Sequence, residues 1–98
     1  MENATKIEDL CRRYGVVRLR LFGSALSDSW DAERSDFDFL ADFGDPPVGI
    51  NAFHQMFGFI EEMETLLGRK VDVVDWKAAR NPYFRKIAEA QAEELFAA

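Results

Sequence analysis

Two aspartates one residue apart, Asp36 and Asp38, are the residues of this 98-residue chain whose type and spacing best suit chemistry. They lie in residues 35–43, Ser-Asp-Phe-Asp-Phe-Leu-Ala-Asp-Phe, where two sets of side chains alternate. A period of two predicts a β-strand, which directs residues i and i+2 to the same face. Carboxylates held about 6–7 Å apart along a strand repel each other unless a cation lies between them. A hard divalent ion with oxygen ligands is the natural partner.

A Gly23-Ser24 pair precedes these aspartates and follows an apolar run that predicts a strand. Glycine allows a backbone to approach a phosphate closely, and backbone N–H groups at the start of the next turn can bind anionic oxygens. The Ser24 hydroxyl adds one more donor. An ordinary strand-to-helix turn with Ser24 as its cap is compatible with this role. We therefore expect Gly23 and Ser24 to contact phosphate.

A third carboxylate, Asp72, interrupts an otherwise apolar segment, Val-Asp-Val-Val. Burying a charge without a partner is costly, so packing gives no reason for an acid there. Asp75 is the rival candidate. A period of two places Asp75 on the opposite face, at the end of the strand, and we therefore favour Asp72.

Four ordered segments carry a family resemblance: Arg-Leu-Phe-Gly-Ser at 20–24, Arg-Ser-Asp-Phe-Asp-Phe-Leu at 34–40, Leu-Gly-Arg-Lys-Val-Asp-Val-Val at 67–74 and Asn-Pro-Tyr-Phe-Arg at 81–85. The pattern resembles the nucleotidyltransferase superfamily related to DNA polymerase beta. More narrowly, the chain is similar to the minimal nucleotidyltransferases (MNT), the small antitoxins of HEPN–MNT pairs.

The resemblance implies an enzyme that moves AMP from ATP to a hydroxyl acceptor and releases pyrophosphate. Asp36, Asp38 and Asp72 would be the catalytic residues and the ligands of Mg²⁺ or Mn²⁺, with Asp72 accepting the proton of the attacking hydroxyl. Gly23 and Ser24 would bind ATP. The acceptor would be a tyrosine of a cognate HEPN toxin, which makes the chain the antitoxin of a type VII-like toxin–antitoxin pair and a component of a hetero-oligomer.

One departure from the family pattern keeps an alternative open. Many relatives carry an arginine shortly after the Gly-Ser pair, whereas residues 25–28 here read Ala-Leu-Ser-Asp; Arg34, Arg69 or Lys70 could compensate. The alternative is a non-catalytic binding module that neutralises a HEPN partner by contact, although such a module has no use for three repelling carboxylates. An unrelated acidic cation-binding domain would leave Gly23-Ser24 unexplained.

Periodicity and turn residues predict the elements that position these groups. We expect strands at 16–22, 36–43 and 71–74, a short helix or turn after Gly23-Ser24, and a short edge strand at Leu95-Phe96. We expect helices that end near Tyr14, that span 49–67, and that run from Pro82 to about 93 or 94. This order predicts a small α/β (α+β) domain. By resemblance, it has a short mixed sheet packed on helices on one face, with the active site on the open face.

Finer expectations concern packing. The apolar third strand should be interior to the sheet, and Tyr83 and Phe84 should dock the last helix on the sheet. The long helix should bury a stripe of six apolar residues while some aromatics stay exposed for a partner: Phe53, Met56, Phe57, Ile60, Met63 and Leu67. Cys11 should be structural, and His54 should be a surface or core-edge residue, not a metal ligand.

Composition limits the other possibilities. We expect residues 1–98 to form one domain. The net charge of −6 argues against direct nucleic-acid binding, because no basic stripe is available. A single cysteine fits a reducing cytoplasm, and no apolar run approaches the length of a membrane span.

Overall fold

The computed structural model describes residues 3–22 and 37–98. They form an α+β fold of three helices and four strands: α1 Ala4–Tyr14, β1 Val16–Phe22, β2 Phe37–Phe43, α2 Ala52–Leu67, β3 Val71–Asp75, α3 Pro82–Gln91 and β4 Glu93–Ala97. The predicted fold class is confirmed, and each of these elements lies where the sequence predicts it, to within a few residues. The predicted turn or short helix after Gly23-Ser24 and the predicted first residue of the second strand, Asp36, lie outside the described residues.

Turn residues fix where the helices begin and end. Gly15 and Gly68 follow α1 and α2 with φ of 70° and 65°, the left-handed conformation that glycine adopts without a steric penalty. The Asn51 side chain accepts a hydrogen bond from the His54 backbone N–H at 2.8 Å. This cap starts α2 at Ala52, three residues later than the apolar pattern predicts.

The four strands form one mixed sheet in the order β3-β2-β1-β4. β1 is antiparallel to both of its neighbours, whereas β2 and β3 are parallel. β4 lies at one edge, as predicted for Leu95-Phe96. The prediction of an interior third strand is wrong, because β3 forms the other edge.

Only one face of β3 is buried in the core. Val71 is 3% exposed in the core, whereas Val74, on the opposite face, is 37% exposed. The Glu64 carboxylate accepts a hydrogen bond from the Val71 N–H at 3.0 Å and so occupies part of the free edge. Burial of one face and a side-chain cap therefore replace a neighbouring strand.

The main core lies between the sheet and helices α1 and α2, which cover one face. Its fully buried large side chains come from both helices and from the two central strands: Ile7, Leu19, Phe39, Phe59 and Met63. Cys11 is also fully buried here, which confirms its structural role. Burial raises the pKa of the Cys11 thiol to about 12, so the thiol stays protonated and unreactive at neutral pH.

The stripe predicted for α2 is right for Met63 and Leu67, which pack in or against the core, and wrong for Phe53 and Phe57. Gln55, Phe59 and Met63 face the core, while Phe53 and Phe57 are 70% and 51% exposed. Gln55 tolerates burial because its Nε2 donates to the carbonyl oxygens of Tyr14 and Gly44, at 2.8 and 3.1 Å. A polar residue with backbone partners thus occupies a core position that apolar periodicity alone assigns to its neighbours.

A second, smaller apolar cluster lies on the other face of the sheet, where α3 packs. The expectation of helices on one face is therefore right for α1 and α2 and wrong for α3, which covers part of the face that was expected to be open. Leu40, Trp76 and Ala88 are buried there, and Phe22 and Phe84 pack against them. Phe84 therefore docks α3 as predicted, whereas Tyr83 is 79% exposed and does not. The difference follows from the helix period, which turns adjacent residues by about 100°.

Candidate active site

Asp38 of β2 and Asp72 of β3 are direct partners in the parallel ladder. Neighbouring strands lie about 4.7–4.9 Å apart, so the two backbones hold these residues side by side. Phe39 and Val71, which adjoin them in sequence, both point into the main core. Because strands alternate, Asp38 and Asp72 share the opposite face. The structure thus brings together two of the three predicted site carboxylates.

Both carboxylate-bearing residues are accessible from solvent. Asp72 is exposed and Asp38 is half-buried. Leu40 lies two residues beyond Asp38 on the same face and is covered by the α3 cluster. The site therefore lies beside the part of the sheet that α3 shields, and a ligand can approach it without displacing that helix.

The first strand leads the chain to the same place. Phe22, the last residue of β1, is the ladder partner of Asp38. Gly23 and Ser24 follow Phe22 directly in sequence and lie outside the described residues, as does Asp36. Their assignment to phosphate and metal therefore stays a prediction. The observed end of β1 is consistent with it, because Phe22 lies beside Asp38 in the ladder.

The donor chemistry of the pair suits a hard divalent cation. Carboxylate oxygens are the ligands that Mg²⁺ and Mn²⁺ prefer, and strands hold them more rigidly than loops do. Within residues 3–22 and 37–98, no group of three acidic, histidine or cysteine side chains is assembled for a metal. Asp38 and Asp72 thus fit two positions of such a site, and the predicted third ligand, Asp36, is two residues before Asp38.

Asp75 has a different environment. It lies beside a groove of about 320 Å³ on the α2 side of the sheet, together with Phe43, Met56 and Phe57. Its carboxylate accepts a hydrogen bond from the Lys77 backbone N–H at 3.1 Å, which stabilises the turn after β3. Asp75 and Asp72 therefore serve opposite faces of one strand, and only Asp72 lies beside Asp38.

An aromatic–cation stack adjoins the site and is not evident from the sequence. The guanidinium carbons of Arg20 and Arg85 lie 4.3 and 4.2 Å from the centre of the Trp76 ring. Arg85 also donates to the carbonyl oxygens of Trp76 and Ala79, at 2.9 and 2.7 Å. Arg20 is 4% exposed, and burial lowers the pKa of its guanidinium. These contacts hold α3 on the site face of the sheet.

His54 lies on the opposite side of the sheet from Asp38 and Asp72. It is exposed and lies in the first turn of α2, which covers the other face of the sheet. Its predicted surface position is confirmed.

Across the part of the chain that the structure describes, no helix has the length and apolarity to cross a membrane.

Comparison with known proteins identifies the family. The profile of the family described as "Nucleotidyltransferase domain" matches residues 4–94. The chain belongs to this family. As a nucleotidyltransferase it is an enzyme, and the resemblance to minimal nucleotidyltransferases predicted from the sequence is confirmed.

Relatives of similar length support the same family. A protein of Methanocaldococcus jannaschii, which carries the provisional name of protein adenylyltransferase, is 30% identical over 97 residues; the match covers 91% of this chain and 94% of that protein. A solved structure provisionally described as a minimal nucleotidyltransferase is also 30% identical, with a TM-score of 0.75. That match covers 93% of this chain and 87% of the other.

Toxin–antitoxin complexes share the fold at lower identity. One structure, a toxin–antitoxin with AMP-PNP, is 20% identical with a TM-score of 0.71 and covers 98% of this chain and 74% of that one. Another contains a tri-AMPylated HEPN toxin of Shewanella oneidensis in complex with an MNT antitoxin. It is 20% identical with a TM-score of 0.64, covering 99% of this chain and 71% of the other. Both show that the fold of this nucleotidyltransferase occurs in such assemblies.

Proposed function

We propose that this nucleotidyltransferase transfers AMP from ATP to a tyrosine hydroxyl of a cognate HEPN toxin and thereby acts as its antitoxin. The single observation that carries the proposal is the pairing of Asp38 with Asp72 on one face of the sheet, in a chain of this family. We propose further that residues 1–98 act as one domain, in the cytoplasm, within a hetero-oligomer.

The choice of AMP and of a HEPN partner is supported by proteins similar to this chain. The Methanocaldococcus jannaschii relative is named for protein adenylyl transfer. Among the structures with the same fold, one holds an ATP analogue and another pairs an MNT antitoxin with an AMPylated HEPN toxin. These are properties of those proteins, and they make ATP and a HEPN toxin the first substrates to test.

The proposed chemistry assigns a role to each carboxylate. Asp36, Asp38 and Asp72 would hold Mg²⁺ or Mn²⁺. When bound, these ions neutralise charge that develops on the attacking and leaving oxygens. Gly23 and Ser24 would bind the phosphates through N–H and hydroxyl donors. The acceptor oxygen forms a bond to the α-phosphorus, the bond to the bridging oxygen breaks, and pyrophosphate leaves. Asp72, which is exposed on the open face, would take the hydroxyl proton.

A second candidate function is neutralisation of the partner by contact alone. The observation that favours it is the exposed Phe53–Phe57 pair on α2, whose ring centres lie 4.4 Å apart. Exposed aromatic pairs of this kind are common where proteins bind each other. The contact function has no need of Asp38 or Asp72, which makes the two candidates separable.

The test compares two chemically identical substitutions on opposite faces of the sheet. Purified protein, the cognate HEPN partner, Mg²⁺ and ATP labelled at the α-phosphate should yield a labelled partner. Asp38→Asn should remove the label, because it removes the charge and nearly preserves the shape. Asp75→Asn should retain it, because an asparagine oxygen can still accept the Lys77 hydrogen bond. An unlabelled partner with the wild type, and equal toxin neutralisation by wild type and Asp38→Asn, would establish the contact function instead.

A further inference from the structure

Lys70 lies at the start of the strand that carries Asp72. Its carbonyl oxygen accepts a hydrogen bond from the Phe37 N–H at 3.2 Å, which extends the β2–β3 ladder by one residue ahead of Val71. The backbone of Lys70 is therefore fixed beside the beginning of β2. Its side chain is exposed to solvent. A lysine in this position combines a fixed backbone with a long, flexible side chain.

The alternation of β3 places Lys70 on the same face as the carboxylate pair. Val71 faces the main core and Asp72 faces the other way, so Lys70, two residues before Asp72, shares the Asp72 face. Along a strand, residues i and i+2 lie about 6–7 Å apart. A lysine arm of four methylene groups spans that distance, so the ammonium can reach a ligand bound over Asp72 and Asp38.

Three arginines on this side of the sheet already have partners. Arg18 forms an ion pair with Glu94, Nε to Oε1 at 2.8 Å, and Arg20 and Arg85 stack on Trp76. By contrast, Lys70 takes part in none of the ion pairs between described residues, which involve Arg12, Arg13 and Arg18. Its ammonium is therefore available to a ligand without breaking a contact within the described fold.

We infer that Lys70 is a phosphate-binding residue of this site, whose ammonium pairs with the triphosphate of the bound nucleotide. The inference rests on the proposed function, which supplies the nucleotide. A triphosphate brings several negative charges to a face that already carries Asp38 and Asp72. A strongly hydrated point charge on a flexible stem suits phosphate oxygens whose positions change as pyrophosphate leaves.

Titration calorimetry with MgATP tests this inference on four proteins: wild type, Lys70→Met, Lys70→Arg and Lys6→Met. Lys70→Met should weaken MgATP binding about tenfold to a hundredfold, the loss expected for one charge-assisted hydrogen bond. Lys70→Arg should bind within about threefold of wild type, because it keeps the charge. Lys6→Met removes the same charge from α1, on the other side of the sheet, and should leave MgATP binding unchanged.

Thermal melting without nucleotide keeps folding separate from binding. All four proteins should melt at similar temperatures, since Lys70 is exposed and has no ion pair among the described residues. Wild-type affinity for MgATP in Lys70→Met, with the partner still labelled, would overturn the inference and leave the proposed function standing. A wild-type protein that binds no MgATP would overturn both.

Discussion

The Tyr14 hydroxyl at the end of α1 donates a hydrogen bond to the Glu62 carboxylate of α2. Arg13 approaches the other oxygen of the same carboxylate, Nη1 to Oε1 at 2.9 Å. The hydrogen bond to Glu62, followed by partial burial, raises the pKa of the Tyr14 phenol above its ordinary value of 10.0. The two helices that cover the main core are thus joined by a titratable contact.

This contact predicts a loss of stability in alkali. A raised native pKa means that the folded protein keeps a proton that the unfolded chain releases. The contribution of Tyr14 is therefore complete below about pH 10 and is lost as the pH rises through the native pKa. Urea unfolding of wild type and Tyr14→Phe should give a stability difference that is constant up to about pH 9 and shrinks as the pH rises above about 10. A stability difference that does not depend on pH would contradict the prediction.

Gly58 of α2 should resist replacement although it lies inside a helix. A Cβ at this position would lie 2.8 Å from Cε1 of the Tyr14 ring. Alanine normally stabilises a helix interior by about 0.5–1 kcal/mol relative to glycine. Here we expect Gly58→Ala to destabilise by about 1–3 kcal/mol, because the ring must shift and its bond to Glu62 is strained. Denaturant midpoints measure this. Gly58→Ala in the Tyr14→Phe background is the control, and it should remain destabilising because the ring is retained.

The two arginines on Trp76 should differ in their contribution to stability. Arg85→Met removes the donor to two backbone carbonyls and should cost about 1–3 kcal/mol. Arg20→Met removes a buried Nε that has no hydrogen-bond partner among the described residues. Relief of that desolvation should offset the lost cation–π contact, so the change should stay within about 1 kcal/mol. Chemical denaturation of both variants measures the change in the free energy of unfolding. Equal losses of stability in the two variants would show that the stacking contact with Trp76 dominates.

Mg²⁺ and ATP together should stabilise the fold more than either does alone. A ligand at a hundredfold excess over its dissociation constant adds about 2.7 kcal/mol, which corresponds to roughly 10–20 °C in melting temperature for a domain of this size. Carboxylates repel a naked triphosphate, so the two ligands should bind cooperatively. Asp72→Asn should abolish the shift and Asp75→Asn should preserve it. Scanning calorimetry measures the shift in melting temperature. The same shift in both variants would show that Asp72 is not needed for MgATP binding.

Local signals in the sequence predicted the elements and part of the site. Gly15 and Gly68 end two helices, and the period of two in residues 35–43 and 71–74 predicted that Asp38 and Asp72 would each leave the core. Such signals depend only on neighbours in the chain. The ladder that makes these two residues partners joins distant segments, so no local pattern could predict its register.

Packing between elements was predicted less well. The sequence favoured an interior third strand, since a mostly apolar strand suggests cover on both faces, but Glu64 caps its edge instead. The stripe on α2 was wrong at Phe53 and Phe57, because Gln55 takes a core position through backbone carbonyls contributed by other elements. The stack of Arg20 and Arg85 on Trp76 likewise depends on three elements that meet only in the folded protein.

The parallel pairing of β2 with β3 also determines when the site can exist during synthesis. Parallel neighbours require a crossover, and here α2 is that crossover. A nascent chain that has emerged only as far as Leu67 contains Asp38 but lacks the strand that brings Asp72 beside it. The carboxylate pair therefore forms late in translation, after most of the domain has left the ribosome. Chains that end within α2 lack Asp72 and cannot assemble the carboxylate pair.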